Sequence, residues 1–117
     1  MSELHAAAGT GLMAAALAFA VAGGIMAALD RAPRWLEWLR AALVVALLAQ
    51  GAIGGLLLVG GSEPSDQIHW LYGVVILAVP VLGGSFVADA PPRPKAAVYA
   101  LAGILVAVLA WRLVATG

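Results

Sequence analysis

Ala41-Ala-Leu-Val-Val-Ala-Leu-Leu-Ala-Gln50-Gly-Ala-Ile-Gly54-Gly55-Leu-Leu-Leu-Val59 is a run of 19 residues holding one amide and no charge. A helix needs about 20 apolar residues to cross a hydrocarbon core of roughly 30 Å, so this stretch reads as a membrane span. Three more runs of the same kind flank it, at 4–29, 68–88 and 96–114, separated by short polar breaks. With the helical turns that continue into the breaks, the spacing predicts helices over about 4–29, 38–60, 67–88 and 95–115. The fold class is therefore all-α, an integral membrane four-helix bundle occupying residues 1–117 as a single transmembrane domain. Connections this short make sequence neighbours antiparallel, which gives an up-down-up-down order.

Composition agrees. Of 117 residues, 64% are hydrophobic and 10% charged, with a mean hydropathy of +1.05, far from a soluble globule. Six Lys/Arg balance six Asp/Glu, so there is no basic field to hold nucleic acid. The absence of cysteine excludes disulfides, thiolate metal sites, iron–sulfur clusters and covalent haem attachment through Cys-x-x-Cys-His. The first run lacks a basic flank and is longer than the apolar core of a secretory signal, and it reads as a mature helix.

The breaks set orientation. Arg31, Arg34 and Arg40 lie in the first, and Arg93 and Lys95 in the third, while Arg112 stands alone on the other side. The positive-inside rule then places breaks one and three in the cytoplasm and both termini outside, in the bacterial inner membrane. Pro33 suits a first helical turn, Trp35 and Trp38 an interfacial belt, and Ser65 or Asp66 an N-cap for the third helix. The proline-rich third break reads as a stiff turn, and Pro80 as the cause of a kink near Ile76. The many glycines allow close helix packing in lipid.

His5 and His69 are the only histidines, and each begins a helix of the same direction, the first and the third. In a square bundle these helices are diagonal, and both imidazoles fall at one depth near the outer face. The local sequences match: His5-Ala-Ala-Ala-Gly9 and His69-Trp-Leu-Tyr72-Gly73. Positions i and i+4 share a helix face, so each histidine has bare backbone one turn deeper, where a flat macrocycle fits edge-on. The expected site is one b-type haem per chain with His5 and His69 as axial iron ligands. Taken singly, a histidine at a helix end is an ordinary interfacial residue, and His69 has Asp66 within reach as a local partner. Zinc or copper would want a third protein ligand, with Glu3, Glu63, Asp66 and Tyr72 the nearby choices.

Other polar residues carry two readings each. Gln50 is either interhelical glue or, with Gly51, Gly54 and Gly55, the deep edge of the cofactor pocket. Arg112 either snorkels to the interface or pairs with haem propionates. Trp70, Tyr72 and Trp111 read first as belt residues, with Tyr72 also counted among the cofactor-binding candidates.

Gln50-Gly-Ala-Ile-Gly54-Gly55, a short outer loop and then His69 resemble one half of a haem A synthase. His5-Ala-Ala-Ala-Gly9 matches the first histidine element of such a half, and the likeness covers essentially the whole chain. The chain is also similar to small four-helix bacterial proteins with a His-x-x-Tyr-Gly motif and an arginine near the C-terminus, here Arg112. The resemblance implies haem binding on the outer side by His5 and His69. The acidic residue tied to the family's chemistry is sought just before the first histidine, near Glu3. Only one half is present, so haem binding carries over more directly than haem modification, and dimerisation would rebuild a two-half unit.

Together these observations lead to the expectation of a small cytochrome b in electron transport, or an accessory subunit of a larger respiratory complex, not an enzyme by itself. Haem delivery in oxidase maturation is the nearest alternative, and a cofactor-free structural subunit or small transporter element the one from another class.

Overall fold

The computed structural model describes residues 2–117, which form four helices: α1 (Ser2–Ala28), α2 (Arg34–Val59), α3 (Ile68–Phe86) and α4 (Pro92–Thr116). All four are long and apolar enough to cross a membrane. The long dimension of the molecule, 48 Å, exceeds the roughly 40–45 Å of a bilayer with its headgroups by little.

Local chemistry explains each helix end. α1 and α2 both stop in a Schellman motif. At α1 the Arg31 amide bonds Met26 O and Asp30 N bonds Ala27 O, with Asp30 left-handed at φ 54°. At α2, Ser62 N reaches Leu57 O and Gly61 N reaches Leu58 O, and the left-handed residue is Gly61 at φ 89°. Two starts differ from the sequence expectation. α2 begins at Arg34, with Pro33 extended at its N-cap, and α4 begins at Pro92, so Pro92 and Pro94 lie inside the helix. The first turn has no intrahelical acceptor for its amides, so prolines there cost no hydrogen bond. The residue at the N-cap of α3 is Gln67, while Asp66 Oδ1 accepts from Ile68 N at 3.0 Å; α3 continues through Pro80.

α4 is the packing centre, with its flanks against α1 and α3; α2 closes the circuit against α1 and α3. The α1–α4 seam is tightest. A Cβ at Gly103 would sit 2.7 Å from Ala20 N, and one at Gly23 2.8 Å from Ala100 N, so the two backbones approach as only glycine allows. Ala16, Phe19, Ala96, Tyr99, Val106 and Ala107 fill the space beside it. Between the polar ends the outward surface carries many exposed apolar side chains, with Val59 at 86% and Phe86 at 93% exposure. In water such a surface would be a liability; against lipid it is the expected exterior.

Contacts pin both ends. Ser65 N and Asp66 N donate to Gly117 O and Thr116 O, which straps the α2–α3 connection to the end of α4. At the other end Arg93 Nε donates to Ala27 O at 3.2 Å and Arg40 Nη1 to Pro80 O at 2.9 Å.

Candidate functional site

The first turns of α1 and α3 bring His5 and His69 together, with ring centres 6.3 Å apart and planes tilted by 50°. The cavity they share has a volume of about 210 Å³. Gly9, Gly51, Gly54, Gly73 and Gly117 stand on its wall, with Gln50, Leu47 and Trp70. A Cβ would be tight at three of these places, Gly9 among them, where it would lie 3.1 Å from Val114 Cγ2. A Cβ at Gly54 would lie 3.2 Å from His5 Cε1, and one at Gly117 3.1 Å from His69 Cε1.

The His69 tautomer follows from its neighbours. Thr116 Oγ1 donates its single proton to Arg112 O at 2.9 Å, so toward His69 Nδ1, 3.2 Å away, it can only accept. With the hydroxyl used in this way, Nδ1 is the protonated nitrogen of His69 and Nε2 the one left to ligate. A ring nitrogen held in this way by a second residue is the usual support for a histidine that ligates through its other nitrogen. Asp66, the local partner considered from the sequence, bonds a backbone amide and leaves the imidazole to Thr116.

His5 is different. Among the described residues neither of its ring nitrogens has a hydrogen-bond partner, and Nδ1 is fully buried. An unmet buried nitrogen costs about 1–3 kcal/mol and is uncommon in native structures unless something outside the chain supplies the partner. Gln50 does not do so. Its Nε2 donates to the backbone carbonyl of His5 at 2.6 Å, which ties α2 to α1 while the side chain also lines the cavity. Gln50 thus joins two helices and stands on the cavity wall.

Whether the residues fit a haem can be tested on this geometry. Two imidazoles sharing an iron need two bonds of about 2.0–2.1 Å plus about 1.1 Å from each nitrogen to its ring centre, roughly 6.3 Å in all. The observed 6.3 Å matches that length with the planes tilted by 50°, while the cavity of about 210 Å³ is smaller than the roughly 300–1,000 Å³ of sites for small organic groups, so the helices would have to part to admit a macrocycle. The spacing also lies in the range of ordinary aromatic contacts, so it gains its weight from the cavity, the bare glycines and the unpartnered His5. Among the described residues no group of three or more His, Cys, Asp or Glu side chains could hold a metal ion. Glu3 and Asp66 therefore do not complete a zinc or copper centre, and a metal here would have to bring most of its own ligands, as a porphyrin does.

Two candidates stand away from this cavity. Arg112 and Tyr72 are not on its wall; they face each other, with Nη2 3.5 Å from the Tyr72 hydroxyl and the guanidinium 5.6 Å from the ring centre. Arg112 also lies 5.7 Å from the Trp111 ring. Thr116 is the site residue that sequence reading missed, because a threonine in the last helical turn carries no motif and its partner is 47 positions away.

A second polar group lies at the opposite end and was not anticipated either. Arg40 donates through Nε to Glu37 Oε1 at 2.9 Å and through Nη2 to the same oxygen, while Tyr99 OH donates to Glu37 Oε2. A Cβ at Gly84 would fall 2.5 Å from Arg40 Cζ, so the absence of a side chain in α3 is what admits the guanidinium. In the sequence the basic residues of breaks one and three mark orientation only, because the Pro80 carbonyl that holds Arg40 lies on another helix.

Compared with known proteins, the chain matches no family model, no curated protein and no solved structure.

Proposed function

We propose that the chain is a multi-pass protein of the bacterial inner membrane that binds one b-type haem between His5 and His69 and passes single electrons, on its own or within a respiratory assembly. Four apolar helices support the membrane placement, and the contacts pinning both ends support an up-down-up-down order. Five of six basic residues then fall on the cytoplasmic side, with both termini outside. One observation carries the haem reading: two histidine rings at the spacing of a shared iron, over a glycine-walled cavity, one with its tautomer set for ligation and the other without a partner. The resemblance to half of a haem A synthase points the same way.

When bound, haem would supply one-electron redox chemistry at a bis-histidine iron with no open position, which favours electron transfer over oxygen chemistry. The chain's own residues do the rest. His69 offers Nε2 because Thr116 holds the Nδ1 proton, and His5 brings the second imidazole. Gln50 fixes α2 against α1 beside the cavity, and Gly54 leaves room for the His5 ring. Leu47, Ile76 and Leu113 give the wall apolar side chains.

The test is an absorption spectrum of detergent-purified protein expressed with haem supplied. A sharp low-spin signature in the reduced state, lost in His5→Ala and in His69→Ala, is the expected result. A colourless preparation, or a low-spin signature that survives both substitutions, overturns the reading and leaves a cofactor-free bundle.

A further inference from the structure

The end of the bundle opposite the histidines holds a second cavity, of about 510 Å³, between the start of α2, the end of α3 and the start of α4. Its wall carries Arg34, Arg40 and Lys95 against one carboxylate, Glu37. Its size is within the roughly 300–1,000 Å³ of sites for small organic groups. We infer that this cavity is a binding site for the phosphate headgroup of an anionic phospholipid of the inner leaflet.

Four observations converge on that ligand. First, the charge is net positive. Arg40 pairs with Glu37, and Lys95 also acts electrostatically on that carboxylate, but the side chains of Arg34 and Lys95 make no hydrogen bond or close ion pair among the described residues, so three cations stand against one carboxylate. Second, the wall has an anchored floor. Arg40 is held by Glu37 on one side and by Pro80 O on the other, and Gly84 lets it lie flat against α3, so its remaining N–H groups are fixed in direction. Third, the cavity lies at headgroup level. Trp35 and Trp38, exposed by 43% and 66%, flank it on α2 as belt residues do, and Leu39 and Phe86 beside it face outward, where acyl chains run. Fourth, the basic side is the cytoplasmic side on the positive-inside count, where anionic lipid gathers at a basic pocket between helices. Asp30 and Asp89 share this end of the chain, but neither is on the cavity wall. The site is independent of the histidine pair and stands whether or not haem is bound there.

The experiment is native mass spectrometry of the full chain in neutral detergent, titrated separately with phosphatidylglycerol, phosphatidylcholine and inorganic phosphate. Retention of phosphatidylglycerol at one stoichiometric equivalent, well above phosphatidylcholine, is expected. With about a five-fold contribution from each basic residue near a lipid phosphate, R34Q/K95Q should weaken retention about 30-fold. R31Q/R93Q removes the same charge from the same end but outside the cavity, and should change retention by less than about five-fold. Equal weakening in the two double variants, or equal retention of the two lipids by the unaltered chain, overturns the proposal. Inorganic phosphate displacing the lipid at matching concentrations would assign the site to a free anion and likewise overturn it. The lipid comparison needs no variant, so a failure of R34Q/K95Q to fold, visible as lost helical circular dichroism, does not protect the idea.

Discussion

Gly103→Ala is the change that should harm the bundle most for its size. The added methyl would lie 2.7 Å from Ala20 N, 2.8 Å from Ala20 Cβ and 2.9 Å from Ala16 O. Two of those atoms are backbone and the third is a Cβ fixed to it, so no rotamer can move away; α1 and α4 must part. Ordinary contacts between carbon atoms are about 3.5–4.0 Å, so the separation needed is roughly 0.7–1.2 Å. A gap of that size forfeits a quarter to a half of each dispersion contact along the seam. The seam is where Ala16, Val106 and Ala107 are buried, at 0%, 0% and 4% exposure, so the loss is shared by the best-packed part of the molecule. Overpacking of this kind costs about 1–3 kcal/mol, a five- to 150-fold shift in the unfolding equilibrium. Gly23→Ala should behave alike, since its Cβ meets Ala100 N at 2.8 Å. Gly24→Ala is the control: its Cβ meets nothing within 4 Å, and alanine is the better helix former. Reversible unfolding in mixed micelles, followed by helical circular dichroism, compares the three. If Gly103→Ala unfolds at the same midpoint as Gly24→Ala, the close α1–α4 approach is wrong.

Four further outcomes are expected. Thr116→Val removes the acceptor for His69 Nδ1 but leaves Thr116 O bonded to Ser65 and Asp66, so the fold persists while haem retention falls about 10–100-fold in competition with apomyoglobin; unchanged retention would show that the hydroxyl does not support ligation. Gln50→Leu deletes the bond to His5 O, and unfolding titrations should show a loss of about 0.6 kcal/mol; a loss above about 2 kcal/mol would mean that the amide does more than join α1 to α2. Gly84→Ala displaces the Arg40 guanidinium from Pro80 O and Glu37, so stability should fall by about 1–3 kcal/mol while one-to-one lipid retention drops; intact retention would separate Arg40 from the headgroup site. Arg112→Gln should leave haem retention within two-fold, because Arg112 faces Tyr72 and Trp111 away from the cavity wall; a larger loss would restore a role with propionates.

The functional proposals rest on different kinds of residue at the two ends. At one, two imidazoles and a row of glycines make a site with few charged side chains and little covering of the backbone. At the other, cations gather around one carboxylate at the level of the tryptophans. A protein that moves electrons near one face and holds lipid phosphate at the other would need both. The two tests are separate, since a spectrum reads the histidine end and lipid retention reads the basic end.

Hydropathy alone determined that there are four helices and, to within a few residues, where they lie, because the membrane requirement is a property of continuous apolar runs. The pairing of His5 with His69 was also open to sequence reasoning: short connections leave few ways to arrange four spans, and the i+4 glycines mark the same helix face twice. What tertiary structure decided was which side chains answer which. Thr116 supporting His69, Gln50 reaching His5 O and Gly84 making room for Arg40 all join distant stretches of chain, and a hydrogen bond leaves no periodic trace in either partner. Arg112 shows the limit from the other direction, for helix depth could be counted along the chain but the rotation that turns its guanidinium toward Tyr72 depends on how neighbouring helices pack.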